Sequence, residues 1–196
     1  MVVRSLKALR AATMVCRECP IGAFATQSVV GEGPRGATLM LVGEQPGDQE
    51  DRQGHPFVGP AGQLLDRALV AAGIARGEVF VTNAVKHFKY ELRGKRRIHK
   101  SPSQREAMAC YHWLEDEIRL VKPVAIVALG ARAARSLTGS PVTVTRLRGQ
   151  WMTRADGLAV LVTLHPSALL RLREESDRTA AFESLVSDLR AALRPP

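Results

Sequence analysis

Apolar residues gather into four runs that are continuous rather than alternating: "TLMLVGE" (Thr38 to Glu44), "VFVTNAV" (Val79 to Val85), "VAIVALG" (Val124 to Gly130) and "LAVLVTLHP" (Leu158 to Pro166). Unbroken, β-branched runs of this length mark strands buried on both faces, as in a parallel sheet. Helical patterns separate or follow them. "PAGQLLDRALVAAG" opens on proline and ends at Gly73, "SPSQREAMACYHWLEDEIRLVKP" opens on a serine cap and stops before Pro123, and "DRTAAFESLVSDLRAAL" lies near the chain end. The alternation predicts an α/β fold, a three-layer α/β/α sandwich with a mainly parallel four-stranded central sheet. No repeat, low-complexity tract or linker divides residues 1–196, so a single domain is expected. Ligands of such sheets bind at the carboxyl ends of the strands. The polar residues there are Glu44 and Gln45, Asn83, and His165. The longest stretch without periodicity runs from Phe88 to Lys100.

Charge sharpens the picture more than length does. The chain of 196 residues, 45% hydrophobic, is long enough to bury a substantial core. It contains no apolar run of membrane-spanning length, and "MVVRSLKALRAATMVC" is too interrupted by charge for a secretory signal, so a cytoplasmic protein without a membrane partner is expected. A formal charge of +9 and a pI near 10.2 point to a polyanionic partner. The segment from Lys86 to Lys100 holds seven of the 28 Lys and Arg residues. Clustering of that kind is an electrostatic footprint for phosphates. His99 stands among these cations. Three cysteines, Cys16 and Cys19 in "CREC" and Cys110 far downstream, are an odd number for a disulfide framework and point to a metal or a reactive thiol.

Three segments, each after a predicted strand, carry a resemblance: "GEQPGDQEDRQGHPFVGPAGQLL", "TNAVKH" and "LHPSALLR". In this order they resemble the uracil-DNA glycosylase superfamily, specifically its iron-sulfur branch, family four, across nearly the whole chain. "KRRIH" is similar to the insertion that marks the UdgX group, whose members stay covalently attached to the DNA from which they removed uracil.

The resemblance implies a base extruded from DNA into a pocket. Phe57, in an irregular loop set between glycines and prolines, would stack uracil. Asn83 would pair with O4 and N3–H and reject cytosine, since each unpaired buried polar group costs roughly 1 to 3 kcal/mol. Gln45 is a further uracil contact. His165 would stabilise negative charge developing on O2, as an oxyanion hole does. Glu44 would favour the cationic sugar or take up a proton, with Asp48 and Asp51 as alternatives or as members of a solvated loop. Arg171 belongs to a loop that enters the DNA behind the departed base.

Cys16, Cys19, His87 and Cys110 would hold a 4Fe-4S cluster, with His87 where the family has cysteine and His112 as its rival. Without the resemblance, the same residues read equally as a structural zinc site. Neighbouring positive charge favours a neutral His99, which is a nucleophile. Beneath the anomeric carbon it would form a lasting protein–DNA bond, while Lys95, Arg96, Arg97 and Lys100 grip phosphates. The expected partner is uracil-containing DNA, single- or double-stranded, with free uracil released and the protein acting as a monomer. Two other readings stand beside this one: a turnover glycosylase in which His99 only binds phosphate, and a non-catalytic DNA-binding module with a structural metal.

Overall fold

The computed structural model describes residues 3–196. Strands β1 (Leu39–Gly43), β2 (Phe80–Asn83), β5 (Ala125–Leu129) and β7 (Ala159–Thr163) coincide with the four apolar runs. They pair in parallel in the order β2-β1-β5-β7. The sheet has five strands rather than four, because β6 (Trp151–Thr153) adds to the edge antiparallel to β7. Three half-exposed residues carry too short a pattern to be read as a strand. The segment from Phe88 to Lys100 is also more ordered than expected. Its residues Tyr90–Arg93 (β3) and Arg96–His99 (β4) form an antiparallel hairpin turning at Gly94, with Tyr90 opposite His99.

Both faces of the sheet are covered. On one, Leu41, Val81, Val127 and Leu161 meet Leu65 and Leu69 of α4 (Pro60–Ala72) and Leu185 and Leu189 of α9 (Glu175–Ala192). On the other, Met40, Phe80, Ile126 and Val160 meet Leu114 and Ile118 of α5 (Gln104–Val121) and Ala133 and Leu137 of α6 (Ala131–Thr138). Proline at the first position of α4 and a left-handed Gly73 at its end terminate that helix as the sequence predicts. Ser103 caps α5 in a reciprocal box with Glu106.

A third, smaller cluster joins Leu9 of an N-terminal helix, α1 (Leu6–Met14), to Ile21 of the short α2 (Ile21–Phe24) and Trp113 of α5. The remaining short helices are α3 (Asp48–Gln53), α7 (Val144–Leu147) and α8 (Pro166–Leu169). Among the described residues no helix is long and apolar enough to cross a membrane.

The strand order reverses direction between β1 and β5, so their carboxyl ends flank the crevice where an open α/β sheet receives its ligand. Leu161 lies fully buried in the middle of this sheet. Leu161→Ala should lower unfolding free energy by about 2 to 5 kcal/mol, read as an earlier midpoint in urea denaturation.

Candidate active site

The crevice is a cleft of about 740 Å3. Glu44, Gln45, Phe57, Asn83, His99, His165 and Arg171, drawn from separate segments of the chain, all line it. Phe57 is held with φ of +56°, a left-handed conformation that is uncommon for a bulky residue and is kept only where the surroundings enforce it. Glu50, which the sequence did not single out, is part of that enforcement. Its two carboxylate oxygens accept from the Gly47 and Gly59 backbones at 3.0 and 2.7 Å, closing the loop on either side of Phe57. At the tip of β1, a Cβ on Gly43 would lie 2.7 Å from Phe57 Cζ and nearer still to Asn83 Oδ1. Asn83 Oδ1 is buried beside this glycine and has no hydrogen-bond partner among the described residues.

His165 stands where β7 ends and α8 begins. Its Nδ1 accepts from the Ser167 backbone N–H at 3.1 Å, which leaves the proton of a neutral ring on Nε2. Burial, reinforced by Arg171 and His99, lowers its pKa to about 4. The imidazole is therefore a neutral donor near neutral pH. Glu44 faces Arg132 across the mouth at 3.3 Å, yet its Oε1 makes no well-directed hydrogen bond. Arg132, at the start of α6, was missed; the only sign of it is "GARAAR" after a strand.

The hairpin carries His99 into the cleft. Successive strand residues alternate faces, so Arg97 and His99 share one side of β4. Arg97 was expected to grip phosphate, but it is turned inward. Its Nε and Nη1 donate to Asp48 and Asp51 at 2.5 and 2.6 Å, and its guanidinium lies 5.0 Å from the Tyr90 ring and 5.5 Å from that of Phe88. Asp48 and Asp51 are thereby assigned to this clamp and do not line the cleft. Burial works against ionisation of Asp48, but Arg52 and Arg97 outweigh it and hold the carboxyl below the usual range.

Gln45 lines the cleft, and its side chain is engaged by the hairpin. Its Oε1 accepts from the Lys89 N–H at 3.0 Å, which fixes the orientation of the amide. Its Nε2 then faces the Lys89 and Lys100 carbonyls at 3.2 and 3.0 Å and His99 Nε2 at 2.9 Å. An amide NH2 only donates, so His99 Nε2 accepts and the ring proton sits on Nδ1. Although this ring opens to the cleft, the protein around it lowers its pKa by burial; Glu44 opposes the shift, and Arg171 and Arg132 add to it.

The basic segment thus divides. Lys86 is fully buried, and Lys89 pairs with Glu106 at 2.6 Å. Arg93 and Lys100 pair with Glu91 in the open, at 2.7 and 3.0 Å. Lys95 and Arg96 extend from the hairpin tip without an ion pair among the described residues, and Arg171 is exposed at the rim.

Cys16 and Cys19 are half-buried and Cys110 is buried, and all three are free thiols packed in the N-terminal cluster. Gly22 sits between these ligand candidates: a Cβ there would collide with the Cys16 carbonyl oxygen at 2.5 Å and would lie 3.5 Å from the His87 ring. The Lys86 N–H donates to Cys110 Sγ at 3.3 Å. Burial pushes the Cys110 thiol up to about 12 and lowers the pKa of His87. His112 is exposed and hydrogen-bonds Glu18 at 2.8 Å. Among the described residues, no three of the His, Cys, Asp and Glu side chains converge closely enough for a single metal ion.

A cleft at the carboxyl edge of a parallel sheet, with an aromatic floor, a bare carboxamide acceptor and a neutral imidazole donor, defines a receptor for a flat, hydrogen-bonding ring. The chain matches the family model "Uracil DNA glycosylase superfamily" over residues 30–190, and it belongs to that superfamily. It is 38% identical to the Type-4 uracil-DNA glycosylase of Thermotoga maritima over 171 residues, covering 87% of this chain and 85% of that one. It is 37% identical to the Type-4 enzyme of Pyrobaculum aerophilum over 177 residues, covering 85% and 87%. The Type-5 uracil-DNA glycosylase of Pyrobaculum aerophilum is 30% identical over 155 residues, covering 70% and 64%.

The low pKa of His165 links the site to stability. Between about pH 6.5 and 4 the unfolded chain binds a proton at this residue that the folded protein refuses, so its contribution is lost as pH falls through that window. The loss has an upper limit of about 3.5 kcal/mol, because a tenfold difference in proton affinity between the two states is worth about 1.4 kcal/mol. Denaturation of wild type and His165→Gln at pH 7 and pH 4.5 should show a smaller acid loss in the variant.

Proposed function

We propose that the protein excises uracil from DNA and retains the resulting sugar on His99. The observation that carries the first step is the partnerless Oδ1 of Asn83 in the cleft. A buried acceptor without a donor is costly, and uracil N3–H supplies a donor where cytosine N3 would oppose a second acceptor. Phe57 stacks the ring. As the bond between N1 and C1′ breaks, its electron pair passes to uracil and the Nε2–H of His165 stabilises the charge on O2. Glu44 faces the cationic sugar. Excision of uracil accords with the Type-4 relatives, which are named as uracil-DNA glycosylases.

The second step rests on His99. Its Nε2 lone pair, held by Gln45 in the free protein, bonds to C1′ once uracil has left. The imidazolium so formed loses its Nδ1 proton, and the uracil anion takes one from solvent, so charge and atoms balance. Lys95, Arg96 and Arg171 lie outside any ion pair among the described residues and suit flanking phosphates, whereas Arg97 holds the hairpin. After incubation with a uracil-containing oligonucleotide, denaturing electrophoresis should show a shifted protein band that survives boiling in detergent. His99→Ser should still release uracil but lose the band. Many uracils released per wild-type molecule, or a cross-link in the variant, would refute capture by His99.

We further infer a 4Fe-4S cluster held by Cys16, Cys19, His87 and Cys110. Free thiols and a buried imidazole from three segments, with a backbone N–H on one sulfur, suit a cluster, whose ligands are spread more widely than those of a single ion. When bound it would cross-link the N-terminus to α5 and to the segment after β2. Anaerobically purified protein should be brown with broad visible absorption, Cys110→Ser should bleach it, and His112→Ala should not. Colourless protein carrying stoichiometric zinc would overturn the assignment.

A further inference from the structure

Directly beneath Asn83 lies a fully buried ion pair that the reaction above leaves without a role. Lys86 and Glu117 have no solvent-exposed side-chain surface, and Lys86 Nζ stands 2.7 Å from Glu117 Oε2. The other two ammonium donors meet Thr82 Oγ1 at 2.9 Å and the Asn83 carbonyl at 2.5 Å. Thr82 Oγ1 in turn donates to Glu117 Oε2 at 2.7 Å, and Glu117 Oε1 accepts from the Gly31 N–H at 2.7 Å. All three ammonium donors are therefore used, and both carboxylate oxygens accept at least one hydrogen bond.

Stability alone does not account for such a pair. Well-packed apolar residues of similar volume often serve a fold equally well or better, because desolvation of two charges offsets their attraction. What an apolar pair cannot do is hold a carbonyl. Asn83 is the last residue of β2, and beyond it the ladder has ended. The carbonyl of Asn83 would be unsatisfied without Lys86, and the carboxamide that faces the cleft is attached to that same residue. The neighbouring amides are fixed to the end of β1, Ala84 N–H to the Gly43 carbonyl at 2.9 Å and Val85 N–H to that of Glu44 at 3.0 Å.

We propose that Lys86, anchored by Glu117, is a positioning residue for base recognition: it fixes the backbone of Asn83 so that Oδ1 is presented rigidly to the donor of the bound base. The proposal rests on the reading of Asn83 as the base-reading residue. The same lysine ties this backbone to Cys110, since its own N–H meets that sulfur and its carbonyl accepts from Val29 at 2.7 Å.

Lys86→Met alone would strand the Glu117 carboxylate in the core and can fail to fold. The test therefore uses Lys86→Met/Glu117→Gln, which removes both charges and keeps an acceptor for Gly31, alongside Leu161→Ala as a control that weakens the core without touching Asn83. Each is assayed at a temperature where thermal melts show it folded. The double variant should lose on the order of tenfold to a hundredfold in maximal single-turnover uracil release, the scale expected for a reacting group displaced by about 1 Å. The protein concentration giving half-maximal rate should be unchanged, because the exposed cations remain. Leu161→Ala should release uracil at the wild-type rate.

A crystal structure of the double variant should show the Asn83 carboxamide displaced or in several rotamers. Wild-type release by the double variant, an equal loss in Leu161→Ala, or an unmoved Asn83 would each overturn the proposal. If wild type itself releases no uracil, the glycosylase reading falls, and the position of Asn83 in the variant crystal decides the positioning role by itself.

Discussion

Space at the carboxyl end of β1 governs the whole site. With no side chain at Gly43, the Phe57 ring and the Asn83 carboxamide both reach van der Waals distance of the strand, and a single methyl there would displace one or the other. Gly62 does the same one layer out, where a Cβ would collide with the Phe57 carbonyl. Phe57 is thus held with its ring against Gly43 and its left-handed backbone against Gly62, and Glu50 closes the loop on either side of it. A flat cleft with one exacting acceptor results from close packing rather than from a flexible loop folding onto its ligand.

Charge performs a different task from the one that total charge suggests. A net charge of +9 invites a picture of a uniformly basic surface. Yet Lys86, Lys89 and Arg97 of the most cationic segment are spent on internal carboxylates. Arg97 is the most consequential. Sandwiched by two aspartates and two aromatic rings, it converts a short two-stranded ribbon, which is marginal on its own, into a fixed platform. The cations of this segment left without an ion pair among the described residues, Lys95 and Arg96, lie at the hairpin tip, so free and clamped charge are separated along one hairpin.

The sheet was legible because parallel strands are buried on both faces and "TLMLVG", "VFVTN", "VAIVAL" and "AVLVT" advertise that directly. Gly73, Pro60 and Ser103 marked helix ends for equally local reasons. The edge strand at Trp151 escaped because three half-exposed residues carry too little pattern. The hairpin escaped because its alternation is written in arginine, lysine and glutamate, whose apolar stems pack while their charges disguise the period. Within the site, Glu44, Gln45, Asn83 and His165 were legible from their position after strands, whereas Phe57, His99 and Arg171 were reached through the family resemblance and the basic segment. Those that act by tertiary contact, Glu50, Arg132 and the Lys86–Glu117 pair, were not, since nothing near them in sequence reveals what they touch. The Asp48 and Asp51 partners of Arg97 and the hairpin contacts of the Gln45 side chain were hidden for the same reason.

Rigidity of the hairpin also bears on which nucleophile meets the sugar. In the proposed reaction His99 competes with water for the same anomeric carbon. Groups held in a near-attack geometry reach effective concentrations of about 10⁵ to 10⁸ M, well above that of any solvent. The Arg97 clamp and the Gln45 contacts to the Lys89 and Lys100 backbones supply that restraint before DNA arrives, while the Gln45 contact to His99 Nε2 must break to free the attacking lone pair. A histidine on a loose basic loop would lose its advantage to conformational entropy, and water would finish the reaction. In the proposed reaction, the choice between capture and turnover is thus set less by the presence of an imidazole than by the aspartates and aromatic rings around Arg97, two residues away, that keep it still.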